Sequence, residues 1–138
     1  SVILNQRQRK ALEAVIELEY RGKGDVSSSD LAKALDLSRD SVHQLLLPLV
    51  RKGWIAAGRG RLGGYRLTPK ARAATAFDII SVFARHGGLA IPDTRSPEWV
   101  GRLEERAHKA YRTVFASVTI GELASEVRAV RDALTWSI

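Results

Sequence analysis

Apolar residues recur at helical spacing along most of this chain, and the breaks in that spacing divide it into elements. Over 6–20, Ala11, Leu12, Val15, Ile16 and Leu18 form a stripe with Arg9, Lys10, Glu13 and Glu17 outside it, and Gly22 offers a stop. This predicts a first helix. After the Gly22-Lys23-Gly24-Asp25 turn, Ser27 stands as an N-cap with Asp30 three residues on, opening a short helix whose apolar face is Leu31, Ala32 and Leu35. Asp36-Leu37 predicts a tight turn. Ser38 then caps a helix over 38–52 that buries Val42, Leu45, Leu46 and Leu49 and leaves Arg39, Asp40, His43, Gln44 and Leu47 outside. Pro48 lies within it, and its missing N–H predicts a bend.

The period then changes. Gly53-Trp54-Ile55-Ala56-Ala57 reads as a strand, the run from Gly58 to Gly64 as a glycine-arginine turn, and Tyr65-Arg66-Leu67 as a returning strand. Two short helices joined by a tight turn, then a hairpin, predict a helix-turn-helix with a wing. Thr68-Pro69 is read as capping a turn of helix, and Thr75 with Asp78 opens another that buries Phe77, Ile80, Val82 and Phe83 and ends at Gly87-Gly88.

Residues 87–97 are rich in Gly, Pro and small polar residues and read as a linker. Ser96 as cap and Pro97 as first helical residue start a long helix, about 97 to 117, in which Val100, Leu103, Ala107, Ala110 and Val114 recur at three and four. That seam is the kind by which helices pair, so these five residues are the candidate dimerisation contacts. Thr119 and Glu122 predict a capping box for a last helix through Leu123, Val127 and Val130. The expected fold is therefore mainly α with a small β wing: a winged helix-turn-helix over 1–86, a linker over 87–97 and a helical dimerisation region over 98–138.

Charge adds direction to this outline. The chain carries a net +7 over 138 residues, and from Ser41 to Phe77 it has no acidic residue while holding Arg51, Lys52, Arg59, Arg61, Arg66, Lys70 and Arg72. The imbalance is +6 within 1–70 and only +1 within 71–138. Such a block suits a polyanion, because clustered Lys and Arg release condensed counterions on neutralising phosphates. Double-stranded DNA is the expected partner, with a second copy of the chain as the other.

Arg39, Ser41, His43 and Gln44 then face the major groove, where Arg suits guanine and Gln adenine. Arg59, Arg61 and Arg66 lie on the wing, and Ser38 is grouped with the DNA-binding residues as the cap of the recognition helix. Glycines around Arg59 and Arg61 permit close approach to a phosphate backbone. Replacing Arg61 by Ala should weaken DNA binding and leave the dimer intact. The plainer alternative is a solvated basic surface.

Other classes of function find less support. The absence of cysteine excludes disulfides, thiolate metal sites, cysteine-held iron-sulfur clusters and thiol redox sensing. No paired-carboxylate or His-x-x-x-His pattern stands out, so neither an enzyme, a cofactor nor a metal is expected; His86, Glu98 and His108 are the weak candidate for one. With no apolar segment long enough to span a bilayer and no signal-peptide pattern, the default is a cytoplasmic protein away from membranes. Two alternatives stay open: a winged-helix module for protein contacts, and a regulator whose small-molecule pocket lies between the linker and the long helix.

The run from Asp30 through Leu67 resembles the DNA-binding domain of the IscR, NsrR and CymR family of bacterial winged-helix regulators, often labelled Rrf-two. The likeness is carried by Asp30-Leu31-Ala32, Leu37-Ser38, Val42-His43-Gln44-Leu45-Leu46, Pro48-Leu49, Arg51-Lys52-Gly53-Trp54-Ile55 and Gly60-Arg61-Leu62-Gly63-Gly64-Tyr65-Arg66-Leu67. Thr75 to Ile80 and Val118 to Leu123 extend it over nearly the whole chain. The resemblance implies a transcription factor, usually a repressor, that acts as a homodimer on a palindromic operator. Three departures qualify it. Gly87 to Glu104 lacks the cysteines with which many members hold a cluster, so cluster-based sensing is not implied and the effector is open. The wing carries Arg61-Leu62 where Pro-Gly is usual, which changes its tip contacts, and His43 stands where glutamate is frequent, which changes the DNA sequence read.

Overall fold

The computed structural model describes residues 3–22, 24–58, 63–83 and 95–136. Its elements run α1 (Gln6–Arg21), β1 (Val26–Ser27), α2 (Ser28–Leu35), α3 (Arg39–Arg51), β2 (Ile55–Ala57), β3 (Gly64–Leu67), a 3-10 turn at Pro69–Arg72, α4 (Ala76–Ile80), a second 3-10 turn at Ser81–Phe83, α5 (Glu98–Ala116) and α6 (Ile120–Trp136).

Side-chain caps set most of the helix starts, because the first amides of a helix have no partner within it. Asn5 and Gln8 cap α1 reciprocally, each side chain accepting from the other's backbone N–H at 2.8 and 2.9 Å. Gln8 is buried as well, and its Nε2 donates to the Ile80 carbonyl at 3.3 Å, tying the start of α1 to the end of α4. Ser27 caps α2 by accepting from Asp30 N, Ser38 caps α3 by accepting from Ser41 N, and Thr75 with Asp78 forms a capping box for α4. Asp36 closes α2 in the left-handed region at φ 53°, which sets the turn into α3. Thr119 accepts from Glu122 N and Glu122 from Thr119 N, the reciprocal pair expected at the start of α6.

The core gathers around α1. Leu18, Leu31, Leu35, Val42, Leu46, Leu49, Ile55, Ile79 and Ile120 are essentially inaccessible, so α1, the helix-turn-helix, β2, α4 and the first turn of α6 share one interior. Each such aliphatic side chain stabilises by roughly 1.5–3 kcal/mol relative to exposure. The stripe of α3 is Val42, Leu45, Leu46 and Leu49, as its spacing predicts. Pro48 lies on the half-exposed side of that helix, which continues through it to Arg51.

A three-stranded antiparallel sheet in the order β1-β3-β2 lies against this core. β1 is absent from the sequence reading, since two residues offer no period to detect. Gly64 explains how β1 fits: a Cβ there would stand 2.3 Å from the Val26 carbonyl oxygen, so only glycine lets the strands meet.

Three local expectations change. In α4 the inaccessible residues are Ala76, Ile79 and Ile80, so the buried side is Ala76 and Ile79 where Phe77 was expected, and Phe77 is half-buried; Val82 and Phe83 are half-buried beyond the helix, where a 3-10 turn starts at Ser81. The expected end at Gly87-Gly88 lies outside the described residues. Pro97 is the extended residue before α5, at ψ 148°, and not its first helical residue, and no side chain caps this helix. Thr68 likewise does not cap the turn after the wing; its hydroxyl donates to the Gly53 carbonyl at 2.7 Å.

α6 is held to α1 by charge as well as by Ile120 in the shared core. Arg131 donates to Glu17 at 2.8 Å, Arg21 bonds the same carboxylate at 3.0 Å, and the Arg131 guanidinium lies 4.2 Å over the Tyr20 ring. Arg128 adds a bond to the Tyr20 carbonyl at 3.2 Å. Burial alone would raise the pKa of Glu17, but hydrogen bonds and charge from Arg131 and Arg21 outweigh it and hold the carboxyl below its ordinary value.

Candidate nucleic-acid interface

The fold places α3 so that its apolar stripe is spent on the core and its other side is free. Arg39, Asp40, Ser41, His43, Gln44 and Leu47 are all exposed there. At the start of this face the Ser38 hydroxyl donates to Ser41 Oγ at 2.9 Å while accepting from Ser41 N. Ser38 therefore acts here as a cap and orients Ser41.

The β2–β3 hairpin stands beside this helix. Gly58 N donates to the Gly64 carbonyl at 2.6 Å and closes the base of the wing loop. Gly58 packs closely too: a Cβ there would meet Asp25 Oδ2 at 2.4 Å and the Gly64 backbone N at 3.1 Å, so the Asp25 carboxylate would have to move aside. Arg59 and Arg61, at the predicted tip, lie outside the described residues. Arg66 is exposed on β3, and its guanidinium pairs with Asp25 at 3.0 Å, tying the middle strand to the turn before β1. Next to it, Tyr65 points the other way, as strand alternation requires, and its hydroxyl is hydrogen-bonded to His43 Nδ1. The two rings are 5.8 Å apart between centroids. Burial raises the pKa of Tyr65 above its ordinary value.

The far end of α3 is fixed as well. Lys70 lies 4.6 Å over the Trp54 ring and donates to the Lys52 carbonyl at 3.2 Å. Ser38, Arg39, Ser41, His43 and Gln44 are thus all exposed on the side of α3 away from its core stripe, where Tyr65 bonds His43, while Arg66 sits on the opposite side of β3.

Two features escape the sequence reading. Tyr65 is one, because only the register Val26–Tyr65–Ala57 brings it under α3. The other is a cleft of about 240 Å³ between α1 and α3, lined by residues that include Arg7, Lys10, Ser41 and Gln44. Arg7 and Lys10, three residues apart on α1, are its available signal. Of the alternative pocket between linker and long helix, linker residues 87–94 lie outside those described.

α5 differs from every other long helix in burying none of its residues. Along its seam Val100 is half-buried, Ala107 and Ala110 are exposed, and Leu103 and Val114 are 54% and 64% exposed.

An exposed helix presented by a helix-turn-helix, with an antiparallel hairpin at its side, defines a winged helix-turn-helix DNA-binding protein. A profile of the Rrf2 family, described as an iron-dependent transcriptional regulator, matches residues 4–126, and the chain belongs to that family. It is 30% identical to the HTH-type transcriptional regulator CymR of Bacillus subtilis over 138 residues, 98% of this chain and 99% of CymR. It is 35% identical over 104 residues to BadM of Rhodopseudomonas palustris, a putative HTH-type transcriptional regulator, covering 75% of this chain and 64% of BadM. The structure of B. subtilis CymR, described as a global cysteine regulator, superposes with a TM-score of 0.75 at 32% identity over 89% of this chain and 96% of that one. Staphylococcus aureus CymR gives 0.74 at 31% identity over 87% and 96%.

The chain is therefore a DNA-binding transcriptional regulator, and its relatives are regulators and not enzymes. The family is described as iron-dependent, but the donor set of this chain does not fit a cysteine-held iron centre. The sequence has no cysteine, and among the described residues no three His, Asp or Glu side chains gather to hold a metal. No helix among the described residues is long and apolar enough to cross a membrane.

Proposed function

We propose that the chain is a homodimeric repressor that reads a palindromic operator without an iron-sulfur cluster. The observation that carries this reading is the division of labour between two amphipathic helices: α3 gives its apolar side to its own core and its polar side to solvent, while α5 leaves its apolar seam uncovered. Pairing of α5 with its counterpart through Val100, Leu103, Ala107, Ala110 and Val114 presents two recognition helices related by a twofold axis. A palindrome is the DNA that matches such symmetry. Arg39, Ser41, His43 and Gln44 enter the major groove, and Arg59, Arg61 and Arg66 follow the backbone or minor groove from the wing. For Arg66 this requires sharing or exchange of its Asp25 partner. Residues 1–86 carry DNA binding in this reading and 98–138 association, with α6 also bracing α1. A dimer seated on promoter DNA excludes polymerase, which is the basis for repression.

Hydroxyl-radical footprinting on the DNA upstream of its own coding sequence, beside transcription in vitro from the same fragment, tests this reading. Two protected patches about one helical turn apart and reduced transcript are expected. A single unpaired patch would contradict the dimer, and increased transcript would contradict repression.

A further inference from the structure

His43 lies on the exposed face of α3, and one of its ring nitrogens is already engaged: Nδ1 is hydrogen-bonded to the Tyr65 hydroxyl. Which nitrogen of a neutral imidazole carries the proton is set by the bond the other one makes. A phenol is a far better proton donor than an imidazole N–H, and an imidazole nitrogen a far better acceptor than a phenol oxygen. The favourable arrangement is therefore Tyr65 O–H donating to His43 Nδ1, which leaves the proton on Nε2. Tyr65 can hold this role because it sits in the middle strand, paired with Val26 on one side and Ala57 on the other, and is only 9% exposed.

We propose that Tyr65 is a specificity-positioning residue: it fixes the tautomer and direction of His43 so that Nε2–H is offered to the major groove as a donor, selecting an acceptor-bearing base edge. Guanine presents two acceptors in that groove, N7 and O6, whereas cytosine presents the N4 amino donor. Guanine is favoured and cytosine rejected at one position of each half-site. The inference rests on α3 being the reading helix, and it adds a chemical identity to one contact and a second residue, on the sheet, that enforces it.

Two measurements on the whole chain test it. Nitrogen-15 spectra of histidine-labelled protein without DNA, with His43 assigned by its loss in His43→Gln, should show a protonated Nε2 and an unprotonated Nδ1. In Tyr65→Phe, which keeps the ring and removes only the hydroxyl, the two tautomers should mix. A protonated Nδ1 in the wild type overturns the inference. The second measurement selects duplexes from a pool randomised over about 30 base pairs, enough for two half-sites one turn apart. The wild type should enrich guanine over cytosine at one column of each half-site by roughly fivefold or more. Tyr65→Phe should flatten that column while the remaining columns persist, and His43→Ala should erase it. A column unchanged in Tyr65→Phe sinks the inference and leaves the proposed function standing. Failure of the wild type to enrich any sequence would sink the proposed function itself, with the spectra still judging the tautomer.

Discussion

α3 and α5 are both amphipathic, yet they use their two faces in opposite ways. Val42, Leu46 and Leu49 of α3 are inaccessible, so its apolar side is satisfied within one chain and its outer residues are available to a partner of a different kind. α5 has no fully buried residue, and Leu103, Val114 and the neighbouring Trp99 at 60% exposure remain in solvent. An apolar stripe that the chain itself does not cover marks an interaction surface, because its burial is the free energy that association gains. The difference locates two functions on two faces: polar recognition on α3, apolar association on α5.

The sharpest way to break this comparison is to cut into both stripes. Leu46→Ala removes a fully enclosed side chain and should cost roughly 2–5 kcal/mol in urea unfolding. Leu103→Glu with Val114→Glu should leave the far-ultraviolet spectrum of the folded chain unchanged but halve its mass in sedimentation equilibrium. Specific DNA affinity should then fall by roughly 10²-fold or more as the two half-sites cease to be bound together. If the double variant sediments as the wild type does, α5 is not the dimer seam.

A smaller effect concerns how α6 is held. The pKa of Glu17 is lowered in the fold, so its ionised form contributes stability that is present at neutral pH and lost as pH falls from its ordinary value of 4.5 through the lowered one. Thermal unfolding of the wild type should therefore weaken over that acidic window, and Glu17→Gln should flatten this dependence. An identical pH dependence in the two proteins would show that the Arg131–Glu17–Arg21 cluster does not stabilise the α1–α6 contact.

How far the sequence revealed these arrangements follows from the range of the signals involved. Ser27, Ser38, Thr75 and Thr119 each stand three residues from the group they bond, so local spacing was enough to find them. The α3 stripe was equally legible, since helical period alone separates Leu46 from His43. Non-local pairing was not. β1 exists because Gly64 lets Val26 and Ser27 reach β3, and His43 meets Tyr65 across 22 positions of chain; neither has a periodic trace. In α4 a five-residue helix gives too short a period to choose between Phe77 and Ala76 with Ile79, and beyond Ser81 the 3-10 geometry ends the helical phase altogether. For the site, the exposure of Arg39, Ser41, His43 and Gln44 was readable from the sequence, but the pairing of Arg66 with Asp25 was not, because the turn and strand that bring them together are 41 residues apart.

The most direct test of the central claim is a fluorescence anisotropy titration of the wild-type protein. It compares the duplex upstream of its own coding sequence with a scrambled duplex of equal length, at about 150 mM salt. A reader of sequence should bind the first roughly 10³-fold or more tightly than the second. Its affinity should also fall steeply as salt rises, in keeping with phosphate contacts. Equal affinity for both duplexes would contradict the account, reducing the outer face of α3 to a charged surface that binds DNA without reading it.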